Sequence, residues 1–152
     1  MSMAFQVRDI NRGSFGVTDR VSTLAKLFGE AFYNPLSAMA SSDGVAAGMI
    51  SLDNGNYRRF VYKGRLNTAK AAHALTVKNV IGRLFQGHEV DNEMLGQFRK
   101  AARAIDGTEI VQETLGSDFQ TVLSSDTIKV EGMARAATAL ITAVELRALK
   151  LP

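Results

Sequence analysis

The stretch Tyr57–Arg65 combines basic and aromatic side chains in a pattern that could contact a nucleic acid. Four of its nine residues are cations, and aromatic residues lie between them. Cations contact phosphates, and exposed aromatic faces stack on unpaired bases. No glycine follows its first basic residue, as an RNP1 motif requires. The stretch more simply fits a solvated strand whose charges protect a sheet edge. The candidate nucleic-acid-binding residues are Tyr57, Arg58, Arg59, Lys63 and Arg65.

A second group of polar residues, His88–Glu93, contains the densest mixture of imidazole and carboxylate side chains. Metal sites use such ligands, but no second histidine follows at the spacing of an HExxH motif. The segment is more typical of a polar loop followed by a helix cap. His73 lies at the edge of an apolar helix face, and no GxSxG motif accompanies it. We therefore predict no catalytic residue, no metal site and no cofactor.

The basic stretch belongs to a predicted β-hairpin, Met49–Lys63, with Asn54-Gly55 at its tip. A loop of three residues, 54–56, separates apolar from polar side chains better than a loop of two. It places Ile50, Leu52, Phe60 and Tyr62 on one face, and Asn56 tolerates the left-handed conformation. The outward residues are then Ser51, Tyr57, Arg59, Val61 and Lys63.

Apolar periodicity and capping residues predict the helices around this hairpin. The first runs from Thr18 to Tyr33, where Asn34-Pro35 ends it. A mobile loop or a weak helical turn of small residues is predicted over 36–47. The second starts at Asn67 or Thr68, runs to Gln86 and is closed by Gly87. The third begins at its N-cap Asp91, with Val90 and Leu95 as a hydrophobic staple, and ends at Ile105.

The remaining segments are shorter or less clearly patterned. Residues 4–10 alternate like a strand, and 11–16 read as a turn without the lysine of a phosphate loop. Thr108–Leu115 and Ser117–Leu123 are predicted to be short helices, the second with a capping box. Thr127–Glu131 fits a strand or a helix, and a break is expected at Gly132.

The last predicted helix, Met133–Leu149, is apolar over most of its circumference and has one narrow polar stripe. Such a helix is buried on most sides, either in the core of its own chain or against a neighbour. The sequence leaves these two alternatives open. The candidate interface residues are Met133, Ala137, Leu140, Ile141 and Val144.

Together these patterns predict an α+β, mostly α fold. We expect a bundle of about five helices with a small antiparallel sheet built on one hairpin, in a single domain of residues 1–152.

Composition excludes several classes of protein. The 152 residues include no cysteine, so disulfides, thiolate metal sites and cysteine nucleophiles are absent. No segment has the length of apolar sequence that a membrane span needs, and the first ten residues do not resemble a secretory signal. The net charge of +3 permits an anionic partner without requiring one. We expect a cytoplasmic protein or one within a virus particle.

These observations favour a non-enzymatic structural or interaction protein that assembles into homo-oligomers, such as a subunit of a virus or phage particle or of a bacterial assembly. The first alternative is a nucleic-acid-binding protein that uses the hairpin. A further alternative is a secreted bacterial effector with a mobile serine-rich segment at 37–42. A small enzyme using His73 or His88 is the least supported. No small-molecule substrate is evident.

Overall fold

The computed structural model describes residues 17–40, 48–62 and 68–150. The elements, in chain order, are α1 (Val17–Met39), β1 (Gly48–Ser51), β2 (Tyr57–Tyr62), α2 (Thr68–Phe85), α3 (Asn92–Ile105), β3 (Glu109–Leu115), β4 (Val122–Lys129) and α4 (Met133–Lys150). The α+β, mostly α class is confirmed. The described residues contain four helices, so the expectation of about five is wrong. The strand predicted over 4–10 and the turn over 11–16 lie outside the described residues.

The two segments predicted as short helices belong instead to the sheet and to the turn before its last strand. Thr108–Leu115, predicted as a helix, forms β3, and Ser117–Leu123 forms a turn that leads into β4. The ambiguous segment 127–131 continues β4 as far as Lys129. Strand β3 lies between β2 and β4 and pairs with both along its length. These long-range pairs outweigh the helix preference of its glutamate and glutamine residues, because local propensity is a weak force beside tertiary pairing.

Helix α1 continues through Pro35 to Met39, so the predicted end at Asn34-Pro35 is wrong. The last turn buries Leu36, Ala38 and Met39 almost completely. This apolar burial offsets the hydrogen bond that proline cannot donate and the restriction on the residue before it. Part of the loop predicted over 36–47 is therefore helical, and 41–47 lie outside the described residues.

The four strands form an antiparallel meander in the order β1-β2-β3-β4. Phe60 and Ile110 lie on one face and are buried in the core, where α1 contacts β1, β2 and β3. Successive side chains of a strand point to opposite faces, so Tyr57, Arg59 and Val61 lie on the face turned away from the helices. The predicted division of the hairpin into these two faces is confirmed for residues 50–62.

The loop of the hairpin lies one residue earlier than predicted, so the partner of each β1 residue in β2 is shifted by two residues. Ser51 pairs with Tyr57, and the Leu52 amide donates to the Asn56 carbonyl at 2.8 Å. The three-residue loop is therefore 53–55 and not 54–56. Gly55 has φ of +84°, so glycine and not Asn56 adopts the left-handed conformation. Glycine adopts it without the steric cost of a Cβ atom, which explains the choice.

The helices α2, α3 and α4 begin and end close to the predicted residues. The Asp91 carboxylate accepts a hydrogen bond from the Met94 amide at 2.8 Å, as expected for an N-cap. Gly87 and Gly132, both with positive φ, mark the predicted end of α2 and the break before α4. Local signals fix these boundaries because the capping groups lie within a few residues of the helix ends.

Helix α1 is the element on which the fold is centred. It packs against α2, α4 and the sheet, while α3 packs against α2 and α4. At Gly29 the two helices α1 and α2 approach closely, since a Cβ atom there would lie 2.8 Å from two ring carbons of Phe85. Within the described ranges, no helix is long and apolar enough to cross a membrane.

Candidate interaction surface

The candidate residue Arg59 is engaged by another strand. Its Nε donates to Glu113 Oε2 at 2.7 Å, and its Nη2 also contacts that oxygen. The two residues are cross-strand partners on the solvent face of β2 and β3, with side chains 33% and 19% exposed. A guanidinium paired in this way has its charge compensated, which weakens its attraction for a phosphate.

The other basic candidates do not extend this surface. Arg58 lies on the opposite face of β2 from Arg59, and its Nε is buried without a hydrogen-bond partner among the described residues. Lys63 and Arg65 lie outside the described residues. The exposed cations Arg99, Lys100 and Arg103 lie on α3, which packs against other helices. Within the described residues, the basic stretch therefore does not form one continuous positive face.

An aromatic pair lies at one end of the same face. The rings of Tyr57 and Phe119 are 4.3 Å apart between centroids and inclined at 36°. Phe119 has φ of +64°, an uncommon value for a bulky residue. The Asp118 carboxylate holds this turn by accepting from the amides of Gln120 at 3.0 Å and Thr121 at 3.2 Å. These two hydrogen bonds lower the pKa of Asp118.

Strand β4 forms one edge of the sheet and is exposed along its whole length. Seven of its eight residues are exposed and Ile128 is half-buried. Because the strand is the last in the order β1-β2-β3-β4, its outer side has no hydrogen-bonded strand beside it among the described residues. An open row of amide and carbonyl groups is a template on which another strand can pair.

The hydrogen bonds next to β4 show which of its backbone groups point outward. The Val130 amide donates to the Thr108 carbonyl at 2.9 Å, so the groups of Val130 face β3. In an antiparallel ladder the direction alternates from residue to residue. The amides and carbonyls of Ser125, Thr127 and Lys129 therefore point away from β3, to the open side.

Exposed apolar side chains concentrate where β4 begins. Phe119, Val122 and Leu123 are 44%, 48% and 55% exposed. A register shift at Thr114/Leu115 makes Leu123 the extra residue of a bulge, since Thr114 pairs with Ser124 and Leu115 with Val122. This surface was missed in the sequence because 117–123 was read as a helix. The alternation of Thr127, Ile128 and Lys129 was the one available strand signal.

The candidate interface residues of α4 have a different position. Met133, Ala137, Leu140, Ile141 and Val144 are all 4% exposed or less and belong to the core. Of the two alternatives left open by the sequence, burial against the chain's own helices accounts for these side chains. The polar stripe of α4, which includes Arg135, Thr138, Thr142 and Glu145, is exposed.

The histidine and carboxylate candidates do not converge on a reactive group. His73 is half-buried in α2, and His88 is exposed in the turn after it. Among the described residues, no three histidine or carboxylate side chains lie together as metal ligands. A cleft of about 420 Å³ lies beside this turn. Two cations, Arg83 and Arg147, and two carboxylates, Glu89 and Asp91, line it.

Comparison of the chain with protein-family models, with curated proteins and with solved structures finds no significant match.

Proposed function

We propose that this chain is a non-enzymatic interaction protein that self-assembles, and that the open side of β4 is where its copies meet. The class covers structural subunits of virus or phage particles and of similar bacterial assemblies. The observation that carries the proposal is the exposed edge of β4, which is eight residues long and contains no proline. Natural proteins protect an edge strand by keeping it short, by proline, by charged side chains, by a bulge or by covering it. Strand β4 has the bulge at Leu123 and the charges of Asp126 and Lys129, which leaves residues 124–128 as its open stretch.

Two further features support association at this edge. Exposed apolar side chains, Phe119, Val122 and Leu123, flank the beginning of the strand. An interface that joins backbone pairing to apolar contacts gains both affinity and specificity, because pockets and side chains select the partner while the ladder supplies hydrogen bonds. The middle of β4, residues 124–127, carries small polar side chains, which allow another chain to approach closely.

The test is the molar mass in solution, measured by light scattering over a dilution series at low and high salt. We expect a mass above the 16.4 kDa of one chain that falls on dilution and changes little with salt. Backbone pairing and apolar contacts are weakly screened, whereas an assembly held by surface charges would dissociate as salt rises. A mass of one chain at every concentration would contradict the proposal.

The nucleic-acid alternative is tested in the same experiment by adding short RNA and DNA. Binding through Arg58, Arg59, Lys63 and Arg65 requires a mass increase with nucleic acid that disappears steeply as salt rises. The compensation of Arg59 by Glu113 counts against this alternative. A salt-sensitive complex that forms only with nucleic acid would favour it over self-assembly.

A further inference from the structure

We infer that two copies of this chain pair their β4 strands antiparallel about a two-fold axis at Ser125, which joins two four-stranded sheets into one. This inference rests on the proposed self-assembly and specifies its geometry. In such a pair Ser125 lies opposite Ser125 of the second copy, and Asp126 lies opposite Ser124 of the second copy. Regular pairing ends on each side at the bulge residue Leu123.

The alternation of side chains and backbone groups along β4 restricts the position of the two-fold axis. A two-fold axis perpendicular to a sheet keeps each face on its own side, so residues opposite each other must share a face. The axis therefore passes through a residue and not between two. Ser125 and Thr127 both present an amide and a carbonyl to the open side, so either can form the central hydrogen-bonded pair. Asp126 presents its groups to β3.

The side chains select Ser125. An axis at Asp126 would place two carboxylates directly opposite each other, which is destabilising. An axis at Thr127 would place the Asp126 carboxylate opposite the apolar side chain of the half-buried Ile128 of the second copy. The axis at Ser125 places Asp126 opposite a hydroxyl, that of Ser124, which can donate to the carboxylate. It also covers Leu123, which is 55% exposed in the single chain.

The same residues favour a second copy over an unrelated strand. The strand carries one acidic and one basic residue, Asp126 and Lys129, so two copies meet without net repulsion. The side chains nearest the axis, Ser124, Ser125 and Thr127, are small and do not obstruct the pairing. Each copy supplies outward donors and acceptors at the same spacing, which is the self-complementarity that a two-fold interface needs.

The experiment uses two cysteine variants of the full chain, Ser125→Cys and Thr127→Cys. The chain has no cysteine, so each variant carries a single thiol. Residues facing each other in a hydrogen-bonded antiparallel pair have Cα atoms about 5.5 Å apart, within the range of a disulfide. In the same pair the two copies of residue 127 are offset by about 13 Å along the strands, which is too far.

Under mild oxidation we expect Ser125→Cys to form a disulfide-linked dimer faster than Thr127→Cys by on the order of tenfold, because paired thiols reach millimolar effective concentrations. Light scattering of both variants before oxidation measures the molar mass and hence the association. Oxidation of both variants in denaturant gives the rate of disulfide formation by random collision.

Three other outcomes would overturn the inference in distinguishable ways. Faster linking of Thr127→Cys would move the axis to that residue and leave the assembly at β4 intact. If both variants are oligomeric but neither forms the disulfide faster than by random collision, the interface lies elsewhere and self-assembly itself is retained. A mass of one chain for both variants would refute the proposed function together with this geometry.

Discussion

Helix α4 and strand β4 are neighbours in the chain, and folding leaves very different groups of each available to a partner. The helix is rich in alanine and leucine, yet its five candidate interface residues are 4% exposed or less. The strand is rich in serine and threonine, and its outer edge has no strand beside it within the described ranges. Their difference teaches that apolar composition and availability for a partner are separate properties.

The physical reason lies in what each element still needs after folding. A helix satisfies its backbone hydrogen bonds internally, so it needs only a partner for its apolar face, and α1 and α3 provide that. An edge strand satisfies half of its backbone groups and offers the other half outward. The outward backbone groups of β4, which have no strand beside them in the part of the chain that the structure describes, therefore indicate a partner more strongly than the apolar side chains of α4.

The largest effect is expected from Leu140→Asp. This side chain is 1% exposed, and an unpaired carboxylate in the core costs more than about 4 kcal/mol, enough to unfold many domains of this size. We expect loss of the cooperative thermal transition followed by circular dichroism. The matched control is Thr138→Asp on the exposed stripe of α4, which should change stability by about 0.5 kcal/mol or less. A folded Leu140→Asp chain would mean that α4 is not a core element.

Proline substitutions separate the two sides of β4. Asp126→Pro removes an amide that faces β3 and should lower the free energy of unfolding by about 3 kcal/mol or more. Thr127→Pro removes an amide on the open side, where proline is tolerated in edge strands. We expect Thr127→Pro to keep most of its stability, measured by urea unfolding, while its molar mass falls to that of one chain. Equal destabilisation by both variants would contradict the assigned directions of the backbone groups.

The Arg59–Glu113 pair should contribute a smaller amount. Its side chains are partly exposed, and cross-strand ion pairs contribute about 1 kcal/mol or less. A double-mutant cycle with Arg59→Ala and Glu113→Ala measures the coupling, and high salt should reduce it. If Arg59→Ala instead abolished nucleic-acid binding without affecting unfolding, Arg59 would belong to a binding surface and not to the sheet.

The smallest effect is expected at Asp118, which is fully exposed. Its pKa is lowered in the folded chain because the carboxylate accepts amide hydrogen bonds. The contribution of this carboxylate to folding stability is therefore complete above its pKa in the unfolded chain. It is lost as the pH falls through the lowered value. Asp118→Asn should remove this acid-side dependence of the turn, as measured by the chemical shifts of the Gln120 and Thr121 amides between about pH 2 and 6. An unchanged profile in the variant would assign the titration to another carboxylate.

How far the sequence predicts this molecule depends on the distance over which each feature is determined. Caps and glycines within a few residues of a helix end predicted α2, α3 and the start of α4. The two faces of the β1–β2 hairpin followed from alternation alone. Sequence patterns miss β3 because its partner β2 lies about 50 residues earlier in the chain, and they miss most of β4 because its one partner is β3. The predicted end of α1 is too early because the burial of Leu36 and Met39 has no local signal.

The candidate site shows the same dependence. Sequence reasoning identified Tyr57 and Arg59 as residues on an outward face, which the structure confirms. It could not identify Glu113 as the partner of Arg59, because 54 residues separate them. Nor could it place Phe119 against Tyr57, since that contact depends on a turn held by Asp118 at a positive φ that phenylalanine rarely adopts.

The close approach of α1 and α2 at Gly29 has a consequence for how this sequence can diverge. A methyl group at position 29 would collide with the ring of Phe85, so the two positions share one fixed volume. A larger residue at 29 requires the ring at 85 to shift or a smaller side chain to replace it, so the sizes of these two residues are coupled in any sequence that keeps this helix contact.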